Sequence, residues 1–215
     1  MLPLSWVLYP ILLVLGFLLN TAQTEEVTLG YRTVSPEEAA FTNIWRKPSP
    51  ENFDAPLPHQ LGDDHFYMTN VSPGEAFLPD DWYCIIKADV KALSTVGKIW
   101  IPEYYPVARP GGRFRLRMLW GNLERRIVDY IRMFLPNPER ALRFSWVQFF
   151  NVLHEPLLQM VIPTQLLRED TLRLWAYCVP TAEMMLNYSR VTVDWPTWNI
   201  EGEPGEAPIS IELID

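Results

Sequence analysis

Residues 27–40 read Val27-Thr28-Leu29-Gly30-Tyr31-Arg32-Thr33-Val34-Ser35-Pro36-Glu37-Glu38-Ala39-Ala40, and this stretch sets how the fold begins. Its first half is rich in β-branched and aromatic side chains, the composition of a strand. Ser35 then supplies an N-cap oxygen, Pro36 brings the preset φ of the first helical position, and Glu37 and Glu38 place negative charge at the positive end of the helix dipole. The chain therefore opens strand, cap, helix, with the helix ending near Lys47-Pro48.

Working outward, residues 48–64 form a proline-punctuated loop that delivers Gln60-Leu61-Gly62 to a second short strand, His65–Thr69. Residues 82–88 (WYCIIKA) and 98–101 (KIWI) are further strands, the first almost continuously apolar, as a buried strand is. From Leu119 a helical period sets in, with Leu119, Leu123, Ile127, Val128, Ile131 and Phe134 on one face. Residues 157–162 form a strand closed by Pro163, residues 166–176 and 181–188 read as helices, and the Trp-rich residues 191–200 cover an edge. With no internal repeat or linker, residues 25–200 read as one α+β domain.

The ends carry a different kind of information. Residues 1–24 contain no Asp, Glu, Lys or Arg, and residues 6–19 (WVLYPILLVLGFLL) are apolar apart from Pro10 and Gly16. That core is shorter than the roughly 20 residues of a membrane span and turns abruptly polar at Asn20, so residues 1–24 read as a signal peptide and the protein as secreted, with an uncleaved anchor as the alternative. No stable membrane span is expected after cleavage. In an oxidising compartment Cys84 and Cys178 have one possible pairing, worth roughly 4 kcal/mol in the chain-entropy picture; two buried thiols are the alternative. Asn187-Tyr188-Ser189 and Asn70-Val71-Ser72 match the N-glycosylation pattern, the second weakened by Pro73. Residues 201–215 read as an acidic solvated tail.

Of 215 residues, 18 are Lys or Arg and 26 Asp or Glu, a formal charge of −8 that argues against nucleic acid as a partner. No glycine-rich phosphate loop, Gly-x-Ser-x-Gly elbow or His-Glu-x-x-His occurs. His59, His65 and His154 are dispersed and not at ligand spacing with each other or with a cysteine, so no metal site is expected. The doublets Asp63-Asp64 and Asp80-Asp81 read as loop caps.

Three stretches, in chain order, resemble the ADP-ribosyltransferase and NAD-glycohydrolase superfamily. Tyr31-Arg32 on a first strand that runs straight into a helix resembles the family's opening, where the arginine contacts the NAD phosphates. Residues 62–70 (GDDHFYMTN) resemble the strand whose aromatic and small hydroxyl residues line the nicotinamide pocket. Residues 158–163 (LQMVIP) are similar to the late strand whose start carries the catalytic acid. The resemblance implies an ADP-ribosyltransferase-like split sheet with flanking helices. NAD would be the substrate, Arg32 a phosphate contact and catalytic residue, Tyr67 the stacking ring, Thr69 the supporting hydroxyl, and Gln159 the residue at the catalytic position. Glutamine there can hydrogen-bond the ribose but supplies no negative charge, which favours NAD hydrolysis or an inactive enzyme; Glu155 is the reserve acid. Secreted fungal toxins or effectors are the kind of protein this resemblance suggests.

The rival expectation is a catalytically inactive secreted module that binds a glycan or a host protein through exposed rings such as Trp195 and Trp198. One more feature stands apart. Arg109, Arg113, Arg115 and Arg117 cluster within residues 108–117 of an otherwise acidic chain. With period two, Arg113, Arg115 and Arg117 project to one face of an extended segment, where they could meet a phosphate, an anionic glycan or a membrane surface, or simply lie solvated.

Overall fold

In the computed structural model the described residues are 25–49, 60–62, 65–72, 80–147 and 157–207. The strand–cap–helix opening forms as the residues dictate: β1 is Glu26–Val34 and α1 is Pro36–Trp45, with the Ser35 hydroxyl accepting from the Glu38 amide and Arg46 closing the helix in the left-handed region. There follow β2 (His65–Thr69), β3 (Trp82–Asp89), α2 (Val90–Ser94), β4 (Lys98–Trp100), β5 (Tyr104–Arg109), β6 (Arg113–Met118) and α3 (Glu124–Ile131). The chain continues through β7 (Leu142–Trp146), β8 (Leu158–Pro163), α4 (Thr164–Arg168), β9 (Trp175–Val179) and α5 (Ala182–Tyr188).

Seven strands make one sheet in the order β4-β7-β8-β2-β1-β3-β9, antiparallel throughout except for the parallel pair β4 and β7; β5 and β6 form a separate two-stranded hairpin. Mixed α and β structure around a mostly antiparallel sheet is the expected class. Cys84 and Cys178 lie directly opposite each other on β3 and β9 and are bonded, closing a loop with a sequence separation of 94.

Register decides which residues share a face, because directly opposed side chains point the same way. Tyr31 opposes Thr69, Thr69 opposes Gln159, and Gln159 opposes Ser145, so these four share one face together with Tyr67, Val161 and Arg143. The other face carries Gly30, Arg32, Phe66, Met68, Met160 and Phe144.

The Trp-rich segment does more than cover an edge. Trp195 is wholly buried, packs edge-on to Phe144 at 5.4 Å, and donates its indole N–H to the Leu29 carbonyl at 2.8 Å. Gly30 is required beneath it: a Cβ there would stand 2.5 Å from the Thr69 carbonyl oxygen and 3.1 Å from the Trp195 ring. From there the chain reaches Glu201, which pairs with the β4 edge through Trp100 N–H to Glu201 O and Glu201 N–H to Lys98 O, both 2.9 Å. The expected solvated tail thus begins as an addition to the sheet.

Two helical expectations fail for local reasons. The period from Leu119 to Phe134 yields only α3, because Gly121 sits at φ 63° and Leu123 is extended, leaving Leu123 exposed while Leu119 is buried at the hairpin base. Residues 166–176 do not run as one helix: Asp170 and Arg173 both take φ 49°, which breaks it after α4 and lets the chain leave as β9. The export segment, Asp63-Asp64, His59, His154 and Glu155 lie outside the described residues.

Candidate functional site

The strands that hold the residues singled out from sequence are neighbours, but they do not present them together. Tyr67, Thr69 and Gln159 share one face, Thr69 and Gln159 side by side. Arg32 points to the opposite face. There its guanidinium lies 3.4 Å from the carboxylate of Glu38 on α1, stacks over the Phe66 ring at 4.7 Å, and donates to the Tyr67 carbonyl at 3.2 Å. Glu38 is buried at 2% exposure, and Arg32 keeps 11% of its side chain exposed. This largely enclosed charge pair ties α1 to the sheet.

On the first face the polar groups satisfy one another. The Gln159 amide donates to Ser145 Oγ at 2.9 Å, the Gln60 amide donates to the same oxygen at 3.3 Å and to the Trp146 carbonyl at 2.7 Å, and the Ser145 hydroxyl donates to that carbonyl at 3.0 Å. One donor and two acceptor positions are all a serine hydroxyl has, and all three are occupied. The Tyr67 hydroxyl accepts from Leu61 N–H at 3.0 Å and donates to the Gly62 carbonyl at 3.1 Å, tying down the loop before β2. Thr69 donates to the Val71 carbonyl at 3.2 Å.

Sequence reading missed the strongest charge on this face. Arg143, fully buried, makes a bidentate pair with Glu124 at 2.8 and 2.5 Å and donates to the Leu61 carbonyl at 2.7 Å. An arginine alternating with Leu142 and Phe144 was the available signal, since a charge within an apolar strand must find a partner. Among the described residues no group of His, Cys, Asp and Glu has the arrangement to hold a metal ion.

A cleft of about 470 Å³ opens beside the β4 edge, lined among others by Val27, Leu93, Lys98, Leu135 and Trp198. The Lys98 ammonium inside it is tied to the Leu93 and Val96 carbonyls at 2.9 and 3.2 Å, and burial pulls its pKa below the usual lysine range. Trp195 is enclosed in the core, so it is not an exposed binding ring; Trp198 is half-buried against Phe144 and lines this cleft. Of the two sequons, Asn187 is exposed on α5, while Asn70 is half-buried with its amide nitrogen 3.4 Å from the Val193 carbonyl.

A run of solvent-facing cationic and apolar groups lies on the β5–β6 hairpin. Its three-residue turn, Pro110-Gly111-Gly112, places both glycines at positive φ, 83° and 72°. Register pairs Arg109 with Arg113, Val107 with Arg115 and Tyr105 with Arg117, so all four arginines share a face. The opposite face is Tyr104, Pro106, Ala108, Phe114, Leu116 and Met118. Phe114 is 72% exposed and Leu116 65%. The Arg117 guanidinium reaches the Tyr105 hydroxyl at 3.4 Å, and among the described residues none of the four arginines is in an ion pair. At the base Tyr105 packs edge-on to Tyr130 at 5.0 Å; burial first, then Tyr105 and Glu203, push the Tyr130 hydroxyl up to about 12.

These features define a disulfide-bonded α+β domain with a hydrogen-bonded polar sheet face and an amphipathic hairpin outside the seven-stranded sheet. Residues 59–203 match the Family of unknown function DUF5910, and the chain belongs to that family. The match takes in both cysteines, β2, β8 and the hairpin, while β1 and α1 lie outside it. Compared with curated proteins and with solved structures, the chain matches none.

Proposed function

We propose that this chain is an exported, disulfide-bonded binding module that engages its partner through the β5–β6 hairpin and does not turn over NAD. The observation that carries the reading is the division of the NAD-type residues between two sheet faces, each already occupied: Arg32 by Glu38 and Phe66, Gln159 by Ser145, Tyr67 by the loop at residues 61–62. A cleaving site needs the phosphate contact and the ribose contact on one side of one ligand. The cross-strand disulfide supports export, since such bonds persist in oxidising compartments.

The test is incubation of the purified protein with NAD, reading released nicotinamide beside Gln159→Ala and Arg32→Ala. Release at the blank rate from all three is expected. Turnover by the parent chain that disappears in Gln159→Ala would overturn the reading and restore the NAD-cleaving one.

A further inference from the structure

We propose that the β5–β6 hairpin docks on a phospholipid surface bearing anionic headgroups, an inference that rests on the hairpin being the binding surface and names what it binds. The first support is charge. The chain carries −8 formally, and residues 104–118 hold four arginines with no acid and no lysine, so the rest of the chain carries −12. Arg109 and Arg113 face each other directly, and Arg113, Arg115 and Arg117 follow at every second residue on one strand. Like charges so placed repel, and no described carboxylate relieves them. An anionic surface does.

The second support is the opposite face, where Tyr104, Phe114, Leu116 and Met118 are all exposed beside Pro106 and Ala108. A protein partner would have to grip both sides of the ribbon, acidic on one and apolar on the other. A bilayer interface meets both needs from one side: the apolar face sinks toward the acyl boundary, and the arginine side chains bend around the narrow two-stranded ribbon to the phosphates. Arginine suits this better than lysine, being weakly hydrated and able to hold a phosphate with two parallel N–H donors. Six-residue strands reach about 20 Å. Laid along the interface, the ribbon spreads its arginines over that length, and the acidic body, which it meets at its Tyr105 base, is screened beyond about 8 Å at physiological ionic strength.

Flotation of the full chain with phosphatidylcholine vesicles, with and without a minor fraction of phosphatidylserine, tests this at physiological and at high salt. Binding is expected to the phosphatidylserine vesicles, weakened by salt. Arg113→Gln/Arg115→Gln should weaken it about 30-fold, and Phe114→Ser/Leu116→Ser at least about 100-fold. Because the hairpin stands outside the seven-stranded sheet, both double variants should keep the parent's thermal unfolding, which excludes misfolding as the cause. Failure of the parent chain to float, or equal flotation of parent and both variants, overturns the proposal; the second result would assign binding to another segment. Hairpin-dependent self-association without vesicle binding also overturns it in favour of a protein interface, and leaves the binding-module reading standing. Nicotinamide release has the converse effect, overturning that reading without touching the flotation result.

Discussion

Reduction of Cys84–Cys178 is the perturbation whose size the structure fixes best. The bond joins β3 to the edge strand β9 and closes a separation of 94 residues, for which loop-closure entropy in the unfolded chain gives about 4.7 kcal/mol. Both cysteines are 2% exposed or less, and β9 is held from outside by the Asn43 side chain, which bonds the Cys178 N–H and carbonyl at 2.9 Å each. Two results follow. In the absence of denaturant a phosphine reductant should open the bond slowly, because the edge strand must detach first. Urea unfolding of the reduced protein should then show its midpoint lowered by about 2 M, taking a slope of about 2.5 kcal/mol per molar. Reduction on mixing, or oxidised and reduced proteins that unfold within about 1 kcal/mol of each other, would refute the reasoning: the first denies the burial, the second the entropic constraint.

Further outcomes follow from the same contacts. Arg32→Ala leaves Glu38 buried without its ion-pair partner and should cost about 3–5 kcal/mol in denaturant unfolding; a loss below about 1 kcal/mol would place Arg32 outside the structural core. Tyr130 and Tyr31 both have hydroxyls whose pKa burial raises, Tyr130 to about 12. The folded state therefore binds more protons than the unfolded one above the ordinary tyrosine pKa. Stability should be intact below pH 10 and fall between about pH 10 and 12, by no more than about 3 kcal/mol for Tyr130; Tyr130→Phe should flatten that fall.

Much of the scaffold was legible because its signals are short-range. Ser35-Pro36 marks a helix start, the β-branched residues before it mark a strand, and His65–Thr69 and the strand closed by Pro163 are bounded by turn chemistry. The alternation Arg113-Phe114-Arg115-Leu116-Arg117-Met118 already describes a strand with two unlike faces. Helical period misled where one backbone angle overrode it, at Gly121 before α3 and at Asp170 and Arg173 before β9.

By itself the sequence determined the order of most elements, the one possible cysteine pair and the isolation of the arginines within an acidic chain. Tertiary structure alone decided which side of the sheet each side chain takes. Tyr31 stands opposite Thr69, and Thr69 opposite Gln159, a register between strands 38 and 90 residues apart that no local pattern encodes. One step of register separates Arg32 from Tyr67 and Gln159 by the thickness of the sheet. The same long-range packing drew Trp195 and Arg143 into the interior and left Phe114 and Leu116 outside, because burial depends on what the rest of the chain brings to a surface.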